Sequence, residues 1–518
     1  RSAVTTEVTA VFSISTTRLL FAPRYDQQVT ENQLDALVGN GGTPSSSNLF
    51  VTVDGGVDNL RDTLTEETSS GITTGNPVFL QSDNEVSKNA TITDFKPVGK
   101  NSPLPLANNK DILTPAICWL TNNMFVTAYQ NYYSGANYYI QLTLGTVNDD
   151  GSVSYGTTKS CRIDSAVVSG VALTRLTDSK FVVTMPYSGS GVSIVVVSVT
   201  NGLMTIGTDW GGGAYEASVA RTGDNSLVIA YRSSVDNDCY VVAGSISGIT
   251  ITLGTAVSFE VGTTQYPSVT ALTSTKAIVS WSSGTINKAR VANISGLTVT
   301  AGASTTTIVS ANTPAPVTRI SDTTFASHYI SGTDWKAVAA SVSVDTITLG
   351  TAITLKSGLT SPVVAGSVQY GNQFVATIIS GSSGIYLQEM AYITISSNTA
   401  TLGFVYEINN LSTAPGYATS QQIGSVNGYV VAQILTGTTY QQLFTVAYKP
   451  VISEIYMGVA KSAPVSGSVP TIMSGRSGGL FSGLTFNKRY LFNQDGTLSQ
   501  TGVYPVGTAI SATELLLD

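Results

Sequence analysis

The sequence predicts an all-β protein whose centre is a seven-bladed β-propeller. Three observations predict it. A unit of about fifty residues recurs seven times between residues 112 and 450, each unit holds about four short apolar or β-branched runs, and no long helical pattern interrupts them. Radial repetition of small sheets leaves only short, protected strand edges, which favours a closed ring. An array of β-sandwiches is the alternative architecture.

The first phrase of the repeat is an apolar run, a polar turn and a second run that often ends in an aromatic residue. In the first repeat these occupy 116–120, 121–123 and 124–129. The polar turns of the other six repeats lie at 177–179, 223–225, 274–275, 321–323, 371–372 and 427–428. Valine, isoleucine, threonine and aromatic residues dominate the runs and suit a pleated, half-buried surface.

A second phrase, Thr-Leu-Gly-Thr or a close variant, recurs with the same period. Its glycines are Gly145, Gly254, Gly302, Gly350 and Gly403. A glycine inside a strand indicates a β-bulge or a close approach of another backbone. We therefore expect a bulge or a close backbone approach at each of these glycines.

Length and composition restrict the remaining possibilities. A chain of 518 residues exceeds the usual size of a single core, so more than one domain is expected. Hydrophobic residues make up 42% and charged residues only 11%, which argues against a disordered chain. The formal net charge is −7 and there is no basic run, which disfavours nucleic-acid binding. No apolar run reaches the roughly 18–20 residues that span a bilayer, so membrane insertion is not expected.

Residues 1–111 lack the repeat and are interpreted as an N-terminal docking region of irregular β structure. The chain begins at Arg1 without a methionine, which indicates a fragment or a mature form cut from a precursor. A helix is predicted over 30–39, because 30–33 has the form of a capping box and a glycine follows the apolar stripe. A second short helix is considered at 58–64. Because the seventh repeat is short, we expect a strand around 90–95 to complete the ring.

Residues 451–518 form a separate C-terminal β module. Its phrases lie at 455–461, 483–485, 489–491, 495–499 and 506–517, and Asp-Gly within 495–499 is a hairpin signal. The residues expected to line one small core are Tyr490, Leu491, Leu498, Val503 and Leu515 to Leu517.

This ordered set of phrases resembles a small β module at the ends of tailed-bacteriophage virion proteins, including tail fibres and other surface-attachment proteins. The resemblance covers about 64 residues of the chain. It implies a component of the virion.

Candidate chemistry is sparse. His328 is the one histidine, and no nucleophile elbow accompanies it, so a serine-type triad is not expected. Three cysteines at irregular spacing, Cys118, Cys161 and Cys239, match no zinc pattern and are interpreted as small buried hydrophobes. Acidic stretches at 148–151 and 236–238 could hold calcium but are explained more simply as hairpin turns. We expect no catalytic residue, metal or cofactor.

Aromatic residues in or beside the polar loops are the candidate binding residues. They are Tyr132, Tyr133, Tyr138, Tyr139, Trp210, Tyr215, Tyr266, Trp335 and Tyr440. Aromatic side chains presented by loops on a rigid scaffold suit contact with a saccharide or a protein. The alternative is that they pack between neighbouring blades.

The sequence thus predicts a non-enzymatic virion protein that attaches to the host surface as part of a tail fibre, tail tip or capsid fibre. Its expected partners are other virion proteins, a host cell-surface glycan or protein, and further copies of itself, but no nucleic acid. One alternative is a capsid or tail decoration protein that stabilises the particle. Another is a polysaccharide-cleaving virion enzyme, since two carboxylates about 5–10 Å apart would suffice for glycoside hydrolysis.

Overall fold

The chain consists of β-strands joined by turns and loops. The computed structural model describes residues 92–103, 112–164, 171–411 and 423–452, except 122, 135–136, 149–151, 188–190, 371–372, 383–384, 427–428 and 437–441, together with short segments of 11–87 and 455–517. Every regular element among these residues is a strand, which confirms the all-β class. The chain divides into two compact units, Ile92–Val451 and a second unit made of Arg1–Thr91 with Ile452–Asp518. This division differs from the three predicted segments.

The N-terminal segment contributes six strands to the second unit. They are β1 (Val11–Ser15), β2 (Arg18–Phe21), β3 (Thr52–Val53), β4 (Leu60–Thr65), β5 (Pro77–Leu80) and β6 (Val86–Ser87). The short helix considered at 58–64 is wrong, because β4 occupies that stretch. Its leucines, four residues apart, fit a helical turn and a strand equally well, and pairing with other strands decides between them. The helix predicted over 30–39 lies outside the described residues.

The unit Ile92–Val451 contains seven antiparallel sheets among its described residues. Sheet 7 is completed by β7 (Ile92–Pro103), which precedes all the others in the chain. Sheet 1 holds β8 (Ile112–Trp119), β9 (Met124–Ser134), β10 (Asn137–Val147) and β11 (Val153–Asp164). Sheet 2 holds β12 (Ala172–Thr177), β13 (Lys180–Tyr187), β14 (Gly191–Thr200), β15 (Leu203–Ile206) and β16 (Trp210–Gly212). Sheet 3 holds β17 (Ala214–Gly223), β18 (Ser226–Ser233), β19 (Cys239–Ser247), β20 (Thr250–Leu253) and β21 (Val257–Glu260).

The remaining sheets follow in the same order along the chain. Sheet 4 holds β22 (Thr264–Thr273), β23 (Lys276–Ser283), β24 (Ile286–Ser295) and β25 (Thr298–Val309). Sheet 5 holds β26 (Val317–Ser321), β27 (Thr324–Ser331), β28 (Asp334–Ser343), β29 (Thr346–Leu349) and β30 (Ile353–Lys356). Sheet 6 holds β31 (Val363–Tyr370), β32 (Gln373–Ser382), β33 (Ile385–Ser396) and β34 (Thr399–Leu411). Sheet 7 holds β35 (Ile423–Val426), β36 (Tyr429–Thr436) and β37 (Gln442–Ile452), with β7 next to β37.

The first strand of each sheet is its inner strand. The inner strands β8, β12, β17, β22, β26, β31 and β35 each contact the next, and β35 contacts β8. Within a sheet, the strands pair in chain order as a meander running outward from the inner strand, except that β16, β21 and β30 pair with the third strand of their sheets and β7 pairs with β37. This arrangement is a β-propeller.

Strand alternation places the core between neighbouring sheets. In β18, Val228 and Ala230 pack in a cluster with residues of sheet 4, whereas Leu227 and Ile229 pack in a cluster with residues of sheet 2. A strand that is buried on both faces needs a nearly continuous apolar run, which explains the run at 227–230. The apolar runs that recur in the sequence therefore form the hydrophobic cores between neighbouring sheets.

Two of the recurring glycines, Gly254 and Gly350, lie where one sheet meets the next. A Cβ on Gly254 would overlap the carbonyl oxygen of Leu297, and a Cβ on Gly350 would overlap that of Asn398. In sheets 3 and 5 the outermost strand is interrupted at these glycines, so that β20 and β21, or β29 and β30, pair separately with the third strand. The predicted close backbone approach is confirmed at Gly254 and Gly350.

Strand β7 closes sheet 7, which confirms the prediction that a strand around 90–95 completes the last repeat. Its Phe95 is fully buried and packs edge-on against Tyr370 and Tyr392 of sheet 6, with ring centroids 5.9 Å apart in each case. Phe404 lies 5.4 Å away by the same measure. The first strand of the unit is thus anchored among aromatic residues of sheet 6, which comes late in the same unit.

The second unit is completed by seven strands of the C-terminal segment. They are β38 (Ile455–Ala460), β39 (Ser468–Ile472), β40 (Gly475–Arg476), β41 (Arg489–Phe492), β42 (Leu498–Ser499), β43 (Tyr504–Ala509) and β44 (Leu515–Leu517). One sheet has the order β3-β4-β39-β38-β5-β6 and another the order β40-β44-β43-β41-β42, while β1 pairs with β2. Tyr490, Leu515 and Leu517 are buried as predicted, but Leu516 is 49% exposed because alternation turns it outward. None of the described residues belongs to a helix long and apolar enough to cross a membrane.

Candidate functional site

The inner strands enclose a central channel. Its cavity has a volume of about 590 Å³ and is lined by residues of β8, β12, β17, β22, β26 and β31 together with the loops that precede them. Small-molecule sites commonly fall in the range of roughly 300–1,000 Å³. Most lining residues are small or apolar, and the charged ones lie near the two ends of the inner strands.

The two ends of the inner strands lie on different faces of the propeller. We call the side where inner strands begin the loop face, because it carries the connections between sheets, such as 261–263 and 310–316. We call the side where inner strands end the turn face, because it carries the polar turns of the repeat. Loops on a rigid scaffold are the usual location of binding residues, so the two faces are described separately.

Arginine side chains join neighbouring sheets at the turn face. Arg175 Nε of sheet 2 donates a hydrogen bond to the carbonyl oxygen of Leu120 of sheet 1 at 2.8 Å. Arg319 Nε of sheet 5 donates to the carbonyl oxygen of Leu272 of sheet 4 at 2.9 Å. Gln369 makes the same kind of bond from sheet 6, with its Nε2 3.1 Å from a carbonyl oxygen of sheet 5. These bonds fasten the inner strands of sheets 2, 5 and 6 to the preceding inner strands.

Each of these arginines, and Arg221 in sheet 3, also contacts an aspartate three residues later, in the polar turn. The pairs are Arg175 with Asp178, Arg221 with Asp224, and Arg319 with Asp322. The turn aspartates are therefore occupied by structural contacts. The recurrence of Arg-x-x-Asp at the end of the inner run was available in the sequence and would have revealed this set of contacts.

The loop-face mouth differs from the turn face, because sheet 3 places a carboxylate there that contacts the backbone of sheet 4. Glu216 lies near the start of β17, and its Oε2 accepts a hydrogen bond from the backbone N–H of Tyr266 at 2.7 Å. Burial raises the pKa of Glu216, while the Tyr266 N–H and the nearby Arg232 act in the opposite direction. Both Glu216 and Tyr266 line the channel cavity.

Arg232 lies beside Glu216 on the adjacent strand, since the two residues are register partners in β18 and β17. Its guanidinium carbon is 4.8 Å from the centre of the Tyr215 ring, and its Nη2 donates to Asn237 Oδ1 at 2.7 Å. Its Nε is buried and has no hydrogen-bond partner among the described residues. Tyr215 itself is 38% exposed, so one aromatic surface at this mouth faces solvent.

The backbone at Tyr266 has an unusual conformation. Its φ is 54°, in the left-handed region that bulky residues rarely adopt, and it falls in a register shift between β22 and β23. The preceding loop is fixed by Asp238, whose Oδ1 accepts from the Gly262 N–H at 2.7 Å. The carboxylate of Glu216 holds the strained residue in place from the other side.

The predicted aromatic residues do not form one surface. Tyr215 and Tyr266 come together at the loop-face mouth, as described. Trp210 is half-buried, pairs with Ile194 in sheet 2, and lies directly over Gly212. Tyr139 is half-buried in β10 of sheet 1. The side chains of Tyr132, Tyr133 and Tyr138, and the whole of Tyr440, lie outside the described residues.

Trp335 is not an exposed binding aromatic but follows the alternative prediction of packing between neighbouring sheets. It is the second residue of β28, fully buried between sheets 5 and 6, and its Nε1 donates to His328 Nδ1 at 3.2 Å. The turn between β27 and β28 is short, and β28 begins at Asp334. Alternation along this strand directs Trp335 into the core. His328 is also fully buried, and burial lowers its pKa to about 3.

Several acids of the described residues make specific contacts within or between sheets. Glu389 Oε1 lies 2.5 Å from Lys356 Nζ, and Glu260 Oε1 lies 2.6 Å from Lys288 Nζ. Asp236 accepts from the Asp238 N–H at 3.2 Å, as expected of a turn residue. The described part of the chain contains no group of three or more histidine, cysteine and acidic residues that could hold a metal ion. Cys118 and Cys239 are buried, Cys161 is half-buried, and none of these three described cysteines forms a disulfide.

No protein-family model matches the sequence, and no curated protein matches it either. Among solved structures, AofleA from Arthrobotrys oligospora is similar at 7% identity and a TM-score of 0.38, covering 59% of this chain and 90% of that one. The NanB sialidase from Streptococcus pneumoniae is similar at 9% identity and a TM-score of 0.38, covering 68% and 70%. The Aleuria aurantia lectin is similar at 14% identity and a TM-score of 0.36, covering 60% and 100%. At such TM-scores these likenesses carry no information about what this chain binds or does.

Proposed function

We propose that this chain is a bacteriophage virion protein that attaches the particle to the host surface, and that its propeller has seven blades. The seven-blade count is supported by the contact of β35 with β8 and by the completion of sheet 7 by β7. The assignment to the virion is supported by the resemblance of residues 455–518 to a module of tailed-bacteriophage proteins. The propeller serves as a rigid platform.

The observation that carries the attachment proposal is the loop-face mouth of the channel. There an exposed aromatic ring, Tyr215, lies against the guanidinium of Arg232, next to the cavity that Glu216 lines. Aromatic and arginine side chains are the residue types that dominate recognition surfaces. A concave site with a few converging polar groups is the usual form of a ligand-binding site.

The contacts of the remaining loop acids favour a binding role for the propeller over glycoside hydrolysis. Glycoside hydrolysis needs two carboxylates that face each other across the scissile bond. Glu260 is held by Lys288, and Asp238 holds the Gly262 N–H, so both carboxylates already have protein partners. Glu216 is the carboxylate of this mouth that lines the cavity.

In this proposal, attachment is multivalent. A single mouth binds its ligand weakly, and several copies of the chain on one particle raise the effective affinity by presenting many sites at once. The partners are other virion proteins, which hold the chain on the particle, and a glycan or protein of the host surface.

The test uses the full chain, fluorescently labelled, on intact cells of a panel of bacterial strains. Saturable binding that unlabelled chain competes away is the expected result. Failure to bind any strain, together with labelling of the particle surface by an antibody to the chain, would favour a decoration role. Release of reducing sugar from cell envelopes, abolished by Glu216→Gln, would instead favour the enzyme.

A further inference from the structure

We propose that the loop-face mouth between sheets 3 and 4 is a binding subsite for one neutral pyranose ring of a surface glycan. Glu216 accepts a hydrogen bond from one sugar hydroxyl, Arg232 donates to a neighbouring hydroxyl oxygen, and Tyr215 packs against the C–H face of the ring. This inference rests on the proposed attachment function and names its ligand class and its site.

The first argument is a departure from the repeat. The position of Arg232 on the second strand is held in the other described sheets by residues without charge, Gln130, Pro186, Ser282, Ile330 and Ile379. Sheet 3 alone among these places a guanidinium there, and it sets a carboxylate directly opposite, on the inner strand. Because none of the five other positions is charged, the charged pair of sheet 3 needs a local reason.

The second argument is that the arrangement is unfavourable without a ligand. Arg232 Nε is buried with no hydrogen-bond partner among the described residues, and an unsatisfied buried donor is destabilising. Glu216 is desolvated enough to raise the pKa of its carboxyl group. Groups perturbed in this way concentrate at functional sites, because ligand contacts supply what the protein leaves unmade.

The third argument is the strained backbone of Tyr266. An aromatic residue at a φ of 54° persists only when its surroundings impose it, and here the Glu216 carboxylate accepts from its N–H at 2.7 Å. The consequence is that Tyr266 and Glu216 both line the cavity at the same mouth. Strain of this kind also clusters at ligand-binding sites.

The ligand class follows from charge and shape. Glu216 and Arg232 balance each other in charge, yet neither is hydrogen-bonded to the other, so each is available to a separate ligand atom. A sugar hydroxyl is both donor and acceptor, and adjacent hydroxyls can serve the two groups together. An acidic sugar would meet the carboxylate, and an amino sugar with a free ammonium would meet the guanidinium. A neutral ring that stacks on Tyr215 satisfies all three side chains.

The experiment measures binding of the full chain to immobilised polysaccharides. The neutral probes are dextran, mannan, galactan and rhamnan fragments, and the acidic probes are polygalacturonate and polysialate fragments. We expect at least one neutral fragment to bind, and Glu216→Gln, Arg232→Gln and Tyr215→Ala each to weaken that binding about tenfold or more. Two control variants, Glu260→Gln and Tyr240→Ala, alter the same kinds of residue in sheet 3 outside the subsite and leave binding within about twofold.

Near-ultraviolet circular dichroism and the urea midpoint identify any variant that fails to fold. If Glu216→Gln does so, Tyr215→Ala carries the test, because Tyr215 is partly exposed and makes no buried hydrogen bond in the structure. Binding of acidic fragments alone, binding of no fragment, or neutral binding that the three variants leave unchanged would each overturn the subsite. If the unaltered chain still binds host cells in those cases, the attachment proposal stands without this subsite. If the unaltered chain does not bind host cells, both proposals are overturned.

Discussion

Single glycines set how closely neighbouring sheets approach. Gly350 has no room for a side chain, because a Cβ would overlap the carbonyl oxygen of Asn398 in the next sheet. Gly156 is the matched control, since the nearest atom to a Cβ there is the Leu144 Cβ at 3.7 Å. We predict that Gly350→Ala lowers the free energy of unfolding by about 1–3 kcal/mol, as overpacking does, whereas Gly156→Ala changes it by less than about 0.5 kcal/mol. Urea denaturation measures both, and equal effects would contradict the packing role of Gly350.

His328 predicts a specific dependence of stability on pH. Burial lowers its pKa from 6.5 to about 3, so between these values the unfolded chain binds a proton that the folded chain does not. The free energy of unfolding therefore falls as pH falls from about 6.5 toward 3, by up to about 1.4 kcal/mol per pH unit from this residue. His328→Gln removes this contribution. We expect its urea midpoint to decline less steeply than that of the unaltered chain between pH 6.5 and 4, and parallel profiles would refute the assignment.

At the residue scale, sequence patterns predicted the glycines but not the buried aromatics. A glycine at a fixed place in each repeat has few physical explanations, and close approach was among them. Trp335 is different, because a tryptophan just after a polar turn can face either solvent or the next sheet. Its direction depends on whether the strand begins at Asp334 or one residue later, which apolar spacing does not determine.

The inner strands are fastened to one another by side chains as well as by apolar packing. Arg175 bonds a carbonyl of sheet 1 and stacks over Trp119 with its guanidinium carbon 3.8 Å from the ring centre. Arg221 provides the control, because among the described residues its side chain is hydrogen-bonded to Asp224 in its own turn and not to a neighbouring sheet. We predict that Arg175→Lys lowers the free energy of unfolding by about 1–2 kcal/mol and Arg221→Lys by about 0–1 kcal/mol.

Urea denaturation with a double-mutant cycle separates the two contributions. Arg175→Lys and Trp119→Phe should be non-additive, because the altered side chains touch each other. A cost for Arg221→Lys equal to that for Arg175→Lys would show that the bond between sheets is irrelevant.

At the element scale, the strands of the repeats were predictable and their partners were partly so. Four short runs per repeat predict a small antiparallel meander sheet, because the turns between them are too short to connect strands that are not neighbours. The partner of β7 was inferred from the shortness of the seventh repeat. The mixing of N-terminal and C-terminal strands in one sheet, β3-β4-β39-β38-β5-β6, could not be inferred, since no local pattern specifies pairing across some four hundred residues.

The whole propeller depends on one strand from its beginning. Phe95 of β7 buries its entire ring among Tyr370, Tyr392 and Phe404. We predict that Phe95→Ala lowers the free energy of unfolding by about 3–5 kcal/mol, whereas Leu203→Ala, at a leucine that is 63% exposed, changes it by less than about 1 kcal/mol. Thermal unfolding of the two variants measures this. A chain that starts at residue 104 should fail to unfold cooperatively, and a synthetic peptide of residues 90–105 should restore cooperativity.

If the shortened chain unfolds as cooperatively as the full one without the peptide, closure by β7 is not required. The peptide experiment also distinguishes pairing from a general effect of length. A scrambled peptide of the same composition should have no effect, because it cannot place a phenylalanine opposite the three aromatic rings.

The pairing of β7 with β37 has a consequence for synthesis on the ribosome. β7 (Ile92–Pro103) leaves the exit tunnel first, and its partner β37 (Gln442–Ile452) is translated about 340 residues later. At roughly 5–20 residues per second, the nascent strand waits about 20–70 s with Phe95 and an open edge unprotected. We expect exchange of this strand between neighbouring nascent chains on a polysome to lower the yield of folded protein.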